Sequence, residues 1–593
     1  MKFRILALAL LAAAASALEA DAPPNYDIRW GVKIPMRDKV ELNATLYLPR
    51  AADGSQAKTP AVFTLTPYIA DSYHDRGAYF ASHGYAFALL DVRGRGNSGG
   101  DFEPFAQESR DGHDIVEWLA RQPFCDGKVS MWGGSYAGFD QWGTAKEFPP
   151  HLASIAPVAS AHPPLDFPFT NNVGQSYNIQ WFTFTSGRTG QGKLFGDSKF
   201  WRTKFLDAYK QHIAFNTLDA FVGNPSPHFQ RVLKNPTPNA YWDAMVPSTE
   251  RYKKLTLPIL SITGQYDGDE VGALTFYRNH IANAPAEMRA KHFLIIGPWD
   301  HAGTRTPTDE VGGVKFGPGA LLDMNDLHRQ WYEWTLKGGA QPEFLKNQFA
   351  YYLLAAGNSG ANGEWKYAES FEAVIANPKT FYLDSKNGDA NGVFRSGTLT
   401  QNPPQEGADK FTYDPLDLRR GELEGVEPND KTSNLDQTYA LSIGEDGLVY
   451  HTDAMAAETP FVGCPSLTLW VSVDTPDTDL SADLYEIQPD GTSIALWSDL
   501  RRLRYRDSLR EEKLVRPGEI VKCDFNPGLF VGRRLMKGSR LRLVVSSPNS
   551  IFVQKNYNSG GVVANETAKD ARTAHVQVHH DGAHASIIQL PLR

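Results

Sequence analysis

Residues 128–138 read Lys128-Val129-Ser130-Met131-Trp132-Gly133-Gly134-Ser135-Tyr136-Ala137-Gly138. A short apolar run meets small residues at 133, 134, 137 and 138, with one hydroxyl among them. This is the G-x-S-x-small form of a nucleophile elbow, a tight strand-to-helix turn that bulky neighbours would block. Such a turn lifts the Ser135 hydroxyl clear of a sheet. It also places the backbone N–H groups that follow at a helix N-terminus, where an oxyanion can be held. The same pattern fits an ordinary Gly-rich turn between strand and helix, so the rest of the chain must supply a base, an orienting acid and a second oxyanion donor.

Working outward, the flanks alternate strand and helix. Residues 61–65 and 85–90 are continuous apolar runs of the kind covered on both faces, and 111–121 carries helical spacing into the elbow strand. Residues 257–264 and 291–297 resume the strands. A helix at 273–282 lies between them, and a helix at 323–337 ends on Gly338-Gly339. Residues 28–34 and 41–48 alternate as an antiparallel hairpin at the sheet edge. The whole reads as an α/β fold with a mainly parallel sheet. Gly94-x-Gly96-x-x-Gly99 mimics a dinucleotide fingerprint, but loop residues rather than a helix follow it.

Between 163 and 254 the strand pattern gives way to loop and helix crowded with aromatics, among them Tyr177, Trp181, Phe182 and Trp201. Inserted between the elbow and the next sheet strand, this stretch reads as a helical cap. From about residue 380 short alternating strands take over, the pattern of a β-sandwich of jelly-roll type. The expected organisation is a signal peptide at 1–17, a core at 24–162 and 255–375, the cap at 163–254 and the sandwich at 376–593.

The chain has 593 residues, 41% hydrophobic, with a formal charge of -9, which suits a globular protein of several domains and argues against a nucleic-acid partner. Lys2 and Arg4, an apolar run at 5–15 and Ala15-Ser16-Ala17 form a secretory leader. The expectation is a secreted or periplasmic protein that is free of the membrane after cleavage. Cys125, Cys464 and Cys523 allow at most one disulfide.

A serine nucleophile needs a base, and the base needs a carboxylate to fix its tautomer. In α/β folds of this class the partners follow later strands in the order Ser, Asp, His. Asp267 follows the 257–263 strand and His301 the 292–296 strand, on the same rim as Ser135. Asp269 and Glu270 are the alternative acids, and His292 and His113 the rival bases. His575, His579, His580 and His584 lack a ligand frame beyond Asp581 and read as surface or packing residues, so no metal and no cofactor is expected.

These motifs resemble the cocaine esterase, glutaryl acylase and α-amino-acid ester hydrolase group (CocE/NonD-type hydrolases), relatives of the X-prolyl dipeptidyl-peptidases. The resemblance rests on Thr66-Pro67-Tyr68, Asp91-Val92-Arg93-Gly94-Arg95-Gly96, the elbow, Tyr266-Asp267, Gly297-Pro298-Trp299-x-His301 and Lys537-Gly538-Ser539-Arg540-Leu541. It implies an α/β-hydrolase core, an inserted helical cap and a C-terminal jelly-roll, galactose-binding-like β-sandwich. It further implies a triad of Ser135, Asp267 and His301, with an oxyanion hole from the Tyr68 hydroxyl and the Tyr136 backbone N–H. In the amino-ester hydrolases a carboxylate cluster holds the substrate's ammonium. Asp269 and Glu270 fall at two of its positions, whereas the third lies near Asp166, followed by Asn171-Asn172. Trp181 and Trp299 are further candidates for contact with substrate.

The expected function is a secreted serine hydrolase acting on a small ester, an amide or a short peptide. An α-amino-acid ester hydrolase or X-Pro dipeptidyl-peptidase is the alternative within enzymes, and a non-catalytic carbohydrate-binding or assembly protein is the alternative outside them.

Overall fold

The computed structural model describes residues 25–385, 390–404, 406–426 and 430–593, so the expected leader lies outside the described residues. The first sheet has ten strands. In chain order they are β1 (Tyr26–Pro35), β2 (Glu41–Pro49), β3 (Thr59–Thr66), β4 (Ala86–Asp91), β5 (Cys125–Gly134), β6 (Leu152–Val158), β7 (Ile259–Tyr266), β8 (His292–Asp300), β9 (Phe349–Leu353) and β10 (Glu364–Ala368). They lie side by side as β1-β2-β4-β3-β5-β6-β7-β8-β9-β10. Pairing from β4 through β9 is parallel, and the β1–β2, β2–β4 and β9–β10 pairs are antiparallel. Every residue of β4 is buried, as expected of a strand covered on both faces.

Six helices matter for the site: α1 (Glu108–Ala120), α2 (Tyr136–Ala145), α3 (Tyr177–Phe184), α4 (Ser198–Lys210), α5 (Glu270–Asn283) and α6 (Met324–Lys337). All ten residues of α2 are buried, because it packs on the sheet beneath the inserted segment. The Asp323 side chain accepts from the Asp326 N–H at the start of α6, and Gly338, at φ 75°, ends that helix in the left-handed region. Helix α5 begins at Glu270, three residues before the helical spacing that starts at 273. A turn in which the Glu270 N–H donates to the Asp267 carbonyl at 3.1 Å draws the chain into the helix early.

Beyond residue 378 the chain is β-rich, with an eleven-stranded sheet from Lys379–Asp384 to Ile587–Leu590. A separate two-stranded pair, Thr459–Gly463 with Val531–Leu535, fastens this region to the end of β9 through backbone bonds of Leu354 with Gly532 and Arg534, of 2.9 and 3.0 Å. Beside them the Arg533 guanidinium, 1% exposed, donates to the Gly357 carbonyl and to Glu486, whose side chain is fully buried, both at 2.6 Å. Breaking a buried ion pair from one side strands the other charge in a low-dielectric interior. Glu486→Ala is therefore expected to lower unfolding stability by about 3–5 kcal/mol, measured by denaturant titration, whereas an exposed pair such as Lys253–Glu250 is worth about 0.2–1 kcal/mol.

Candidate active site

Ser135 sits between β5 and α2 at φ 63° and ψ -126°. That backbone region is sparsely populated and costs about 1–3 kcal/mol, so the surroundings must impose it. The Ser135 N–H donates to the Val158 carbonyl at 2.9 Å, and its own carbonyl accepts from the Gly138 N–H at 2.8 Å. The neighbours leave no room for larger residues. A Cβ on Gly133, which has φ 150°, would lie 2.6 Å from the Ala137 Cβ, and one on Gly138 would lie 2.6 Å from the Val158 carbonyl oxygen. The small residues of the motif are thus required by contact. The first N–H groups of α2, beginning with Tyr136, have no acceptor within the helix and are available to an anion.

Asp267 follows β7 and His301 follows β8. The His301 Nδ1 lies 2.7 Å from Asp267 Oδ1 and 3.7 Å from Asp269 Oδ2. The Asp267 side chain is fully buried and also accepts from the Thr263 hydroxyl at 2.9 Å and the Asp269 N–H at 3.0 Å. Burial alone would raise its pKa; the imidazole and these hydrogen bonds outweigh burial and hold it below the ordinary carboxylate value. For His301 burial opposes the charged form, yet Asp267 and then Asp269 raise its pKa above the usual histidine value. Ser135 and His301 line one cavity of about 440 Å³, with Tyr68, Tyr136, Trp181 and Asp269 in its wall. The hydrogen-bond contact of the Ser135 Oγ is with the Tyr68 hydroxyl, at 3.4 Å, rather than with the imidazole. Contacts between nucleophile and base are often long until substrate fills the site.

Tyr68 is held from several sides. The Arg95 Nε donates to the Pro67 carbonyl at 2.8 Å, the Asp91 carboxylate accepts from the Ala70 N–H at 2.7 Å, and the Trp181 indole donates to the Tyr68 oxygen at 3.2 Å. The Phe184 ring stacks on its own ring. Burial pushes the phenol's pKa up, which keeps it a neutral donor. The Tyr136 side chain is anchored separately: its hydroxyl donates to Glu108 at 2.5 Å and accepts from the Phe105 N–H at 2.6 Å. A hydroxyl on a strained turn, an imidazole fixed by a carboxylate and two donors of different kinds beside one cavity make the arrangement an acyl-transfer site can use.

Two candidates for substrate contact lie elsewhere. Glu270 is 1% exposed and accepts from the Phe530 N–H at 2.9 Å, because the early start of α5 turns it toward the β-rich region. Trp299 is fully buried, with its indole N–H on the Ala320 carbonyl at 3.0 Å; it belongs to the core beneath β8. Trp181 and Asp269 do line the cavity, and so does Asp166, whose Oδ1 accepts from the His162 N–H at 2.8 Å. Burial, and then Asp269, raise the Asp166 pKa well above the ordinary value, and burial pushes that of Asp269 up to about 6. Asn171 and Asn172 reach the β-rich region instead, donating to Asp499 and to the Leu509 carbonyl.

Sequence reasoning missed Phe105, at φ 66° in the cavity wall, and the part played by Arg95. Arg95 is fully buried and spans from Pro67 to the carbonyls of Thr185 and Ser186 at the end of α3. The glycines around it gave the signal, since a Cβ on Gly96 would meet Asp91 Oδ2 at 2.1 Å. The loop that mimics a dinucleotide fingerprint is a clamp between sheet and cap. Among the described residues no group of His, Cys, Asp and Glu is arranged to hold a metal ion. His575 pairs with Asp474, His580 with Asp409 and His584 with Asp581, the His579 ring meets the Ser472 hydroxyl, and the three cysteines are unpaired.

Comparison with known proteins gives two family matches, X-Pro dipeptidyl-peptidase (S15 family) over residues 38–303 and the X-Pro dipeptidyl-peptidase C-terminal non-catalytic domain over 333–589. The chain is 28% identical to a cocaine esterase of Rhodococcus sp. (strain MB1 Bresler), across 96% of this chain and 99% of that one. Among solved structures, an aminopeptidase from a marine sediment archaeon (Thaumarchaeota archaeon) superposes with a TM-score of 0.80 at 20% identity, covering 97% of this chain and 99% of that one. An α-amino-acid ester hydrolase superposes with a TM-score of 0.78 at 19% identity, covering 99% and 100%.

The two carboxylates beside His301 fix a measurable sign. The His301 imidazole should titrate above the ordinary value of about 6.5, followed by NMR. In Asp269→Asn its midpoint should move to lower pH, because a charge that favours imidazolium has gone. An unchanged or higher midpoint would contradict the electrostatics described here.

Proposed function

We propose, for a chain that matches the X-Pro dipeptidyl-peptidase (S15) family over residues 38–303 and is similar to a cocaine esterase along its length, that Ser135 cleaves small carboxylic esters or amides through an acyl-enzyme. Ser135 Oγ attacks the carbonyl carbon while His301 takes its proton, and Asp267 holds the imidazole and balances its charge. The carbonyl oxygen becomes an oxyanion between the Tyr68 hydroxyl and the Tyr136 N–H. His301 returns the proton to the leaving atom as its bond to carbon breaks, and water then repeats the sequence on the acyl-enzyme. The observation that carries this reading is the strained backbone of Ser135 beside a fixed phenol in the cavity that His301 also lines.

A second reading narrows the substrate to one with a free α-amino group. It is supported by Asp269, whose carboxylate ionises near pH 6 within the cavity. An ammonium there gains a charge-assisted contact with a carboxylate whose side chain is 18% exposed. We also propose that the protein acts after export, on the strength of the leader at 1–17; the mature chain would then begin at Leu18, and recovery outside the cytoplasm of a chain still starting at Met1 would contradict it.

One set of kinetics tests these readings. Ser135→Ala should abolish nearly all turnover of a neutral ester. Tyr68→Phe should lower kcat by about 10²–10³ with KM little changed, since the donor acts on the transition state. Asp269→Asn should raise KM for an α-amino ester but not for its des-amino analogue. Unaltered hydrolysis in Ser135→Ala would overturn the mechanism, and equal effects of Asp269→Asn on both esters would remove the amino-substrate reading.

A further inference from the structure

Two buried carboxylic acids next to the elbow helix take no part in the hydrolytic steps. Glu108 opens α1, and Asp140 stands on α2 one turn after Tyr136. Neither lines the catalytic cavity, but Tyr136, to which Glu108 is bound, does. The two helices pack with their backbones close together. A Cβ on Gly112 would collide with the Thr144 hydroxyl, and one on Gly143 would lie 3.0 Å from the Ser109 Oγ.

The acids differ in their partners. Glu108 Oε1 accepts from the Tyr136 hydroxyl at 2.5 Å and Oε2 from the Gln107 N–H at 3.0 Å. Burial, and then Glu108, hold the Tyr136 phenol's pKa well above its ordinary value, so the phenol is the donor. Both Glu108 oxygens thus serve as acceptors, a task that suits a carboxylate better than a carboxylic acid. Asp140 has no hydrogen-bond partner for either oxygen among the described residues. Burial, then Glu108 and Asp111, push its pKa well above the ordinary value, and it is the neutral member of the pair. Burial pushes the Glu108 pKa up to about 7, against the Tyr136 bond that lowers it. The other titratable groups that face Glu108 are Asp111, paired with Arg93 at 2.6 Å, and Tyr241 of the cap. Glu108 therefore carries its charge above about pH 7 and loses it below.

The bond reaches both oxyanion donors. Tyr136 directly follows Ser135, whose own N–H is tied to the Val158 carbonyl of β6. Glu108 supplies a second tie, through the Tyr136 side chain, from a different helix. The Tyr136 oxygen also accepts from the Phe105 N–H at 2.6 Å, and its ring packs on those of Phe105 and Trp181 at 4.5 and 5.8 Å. Trp181 in turn donates to the Tyr68 hydroxyl. A donor that drifts from its place loses transition-state stabilisation more than substrate binding.

We propose that Glu108 is a positioning residue for the hydrolysis: its carboxylate, by accepting the Tyr136 hydroxyl, holds the Tyr136 N–H and, through the rings of Phe105 and Trp181, the Tyr68 hydroxyl in place for the oxyanion. The proposal deepens the acyl-enzyme reading given above and rests on it.

Glu108→Gln, nearly unchanged in shape, should lower kcat for a neutral ester about tenfold at about pH 8.5, with KM within about twofold. At about pH 5.5, where the parent's Glu108 is itself protonated, the ratio of parent to variant kcat should shrink to about twofold or less. Protonation of His301 is common to both proteins and cancels in that ratio. A ratio equal at the two pH values would show a purely structural role and overturn the proposal. In Tyr136→Phe, which lacks the hydroxyl, adding Glu108→Gln should cost no more than about twofold; an undiminished loss would contradict action through Tyr136. Asp140→Asn should stay within about twofold of the parent at both pH values, and a pH-dependent loss there would move the role away from Glu108. The ¹³Cζ resonance of Tyr136, in tyrosine-labelled protein and assigned by its absence from Tyr136→Phe, should shift with a midpoint near pH 7. A resonance that stays in place across that midpoint would overturn the proposal even if Glu108→Gln failed to fold. Hydrolysis that survives in Ser135→Ala would count against the acyl-enzyme reading; hydrolysis lost in Ser135→Ala with a flat Glu108 ratio would count against Glu108 alone.

Discussion

The structure depends on one backbone conformation. Ser135 is held at φ 63° and ψ -126°, and nothing local to serine favours it. It persists because β5 and β6 bracket the turn, Val158 accepts its N–H, and Gly133 and Gly138 let the chain come within contact of Ala137 and Val158. The consequences reach both ways. The turn starts the fully buried α2, whose packing on the sheet shapes that half of the core. It also fixes where a hydroxyl and the first free N–H groups of that helix stand, so the other partners had to be brought to them.

They are brought by the ends of parallel strands and by two clamps. Asp267 and His301 leave β7 and β8, which are neighbours in the sheet, and this alone makes a 2.7 Å contact possible. Tyr68 leaves β3, and the loop after β4 secures it: Arg95 binds the Pro67 carbonyl on one side and the end of α3 on the other. The cap is thus tied to the residue that meets the Ser135 hydroxyl. The β-rich region is tied in through Arg533, Gly532 and Phe530, and it completes the wall behind Asp267.

Much of this was legible in the residues. The apolar runs at 61–65 and 85–90 read as strands covered on both faces and 257–264 as a further strand of the same sheet, and their order put Ser135, Asp267 and His301 on one rim. The resemblance added Tyr68 and the Tyr136 N–H. What sequence could not supply was the direction of side chains next to the functional ones. Asp269 and Glu270 are adjacent, yet the early start of α5 sends one to the cavity and the other to Phe530. Trp299 precedes His301 by two residues but points into the core, since β8 extends to Asp300. Arg95 was hidden because its acceptors are backbone carbonyls of a distant segment, which leave no pattern in side-chain identity.

The account stands on Ser135 being the nucleophile that becomes covalently modified. Treatment with a fluorophosphonate, followed by mass spectrometry of the intact chain and of its peptides, measures this directly. The expected result is one adduct per chain, located on Ser135, forming in step with loss of esterase activity. An adduct on another residue, or full inactivation with Ser135 unmodified, would contradict it.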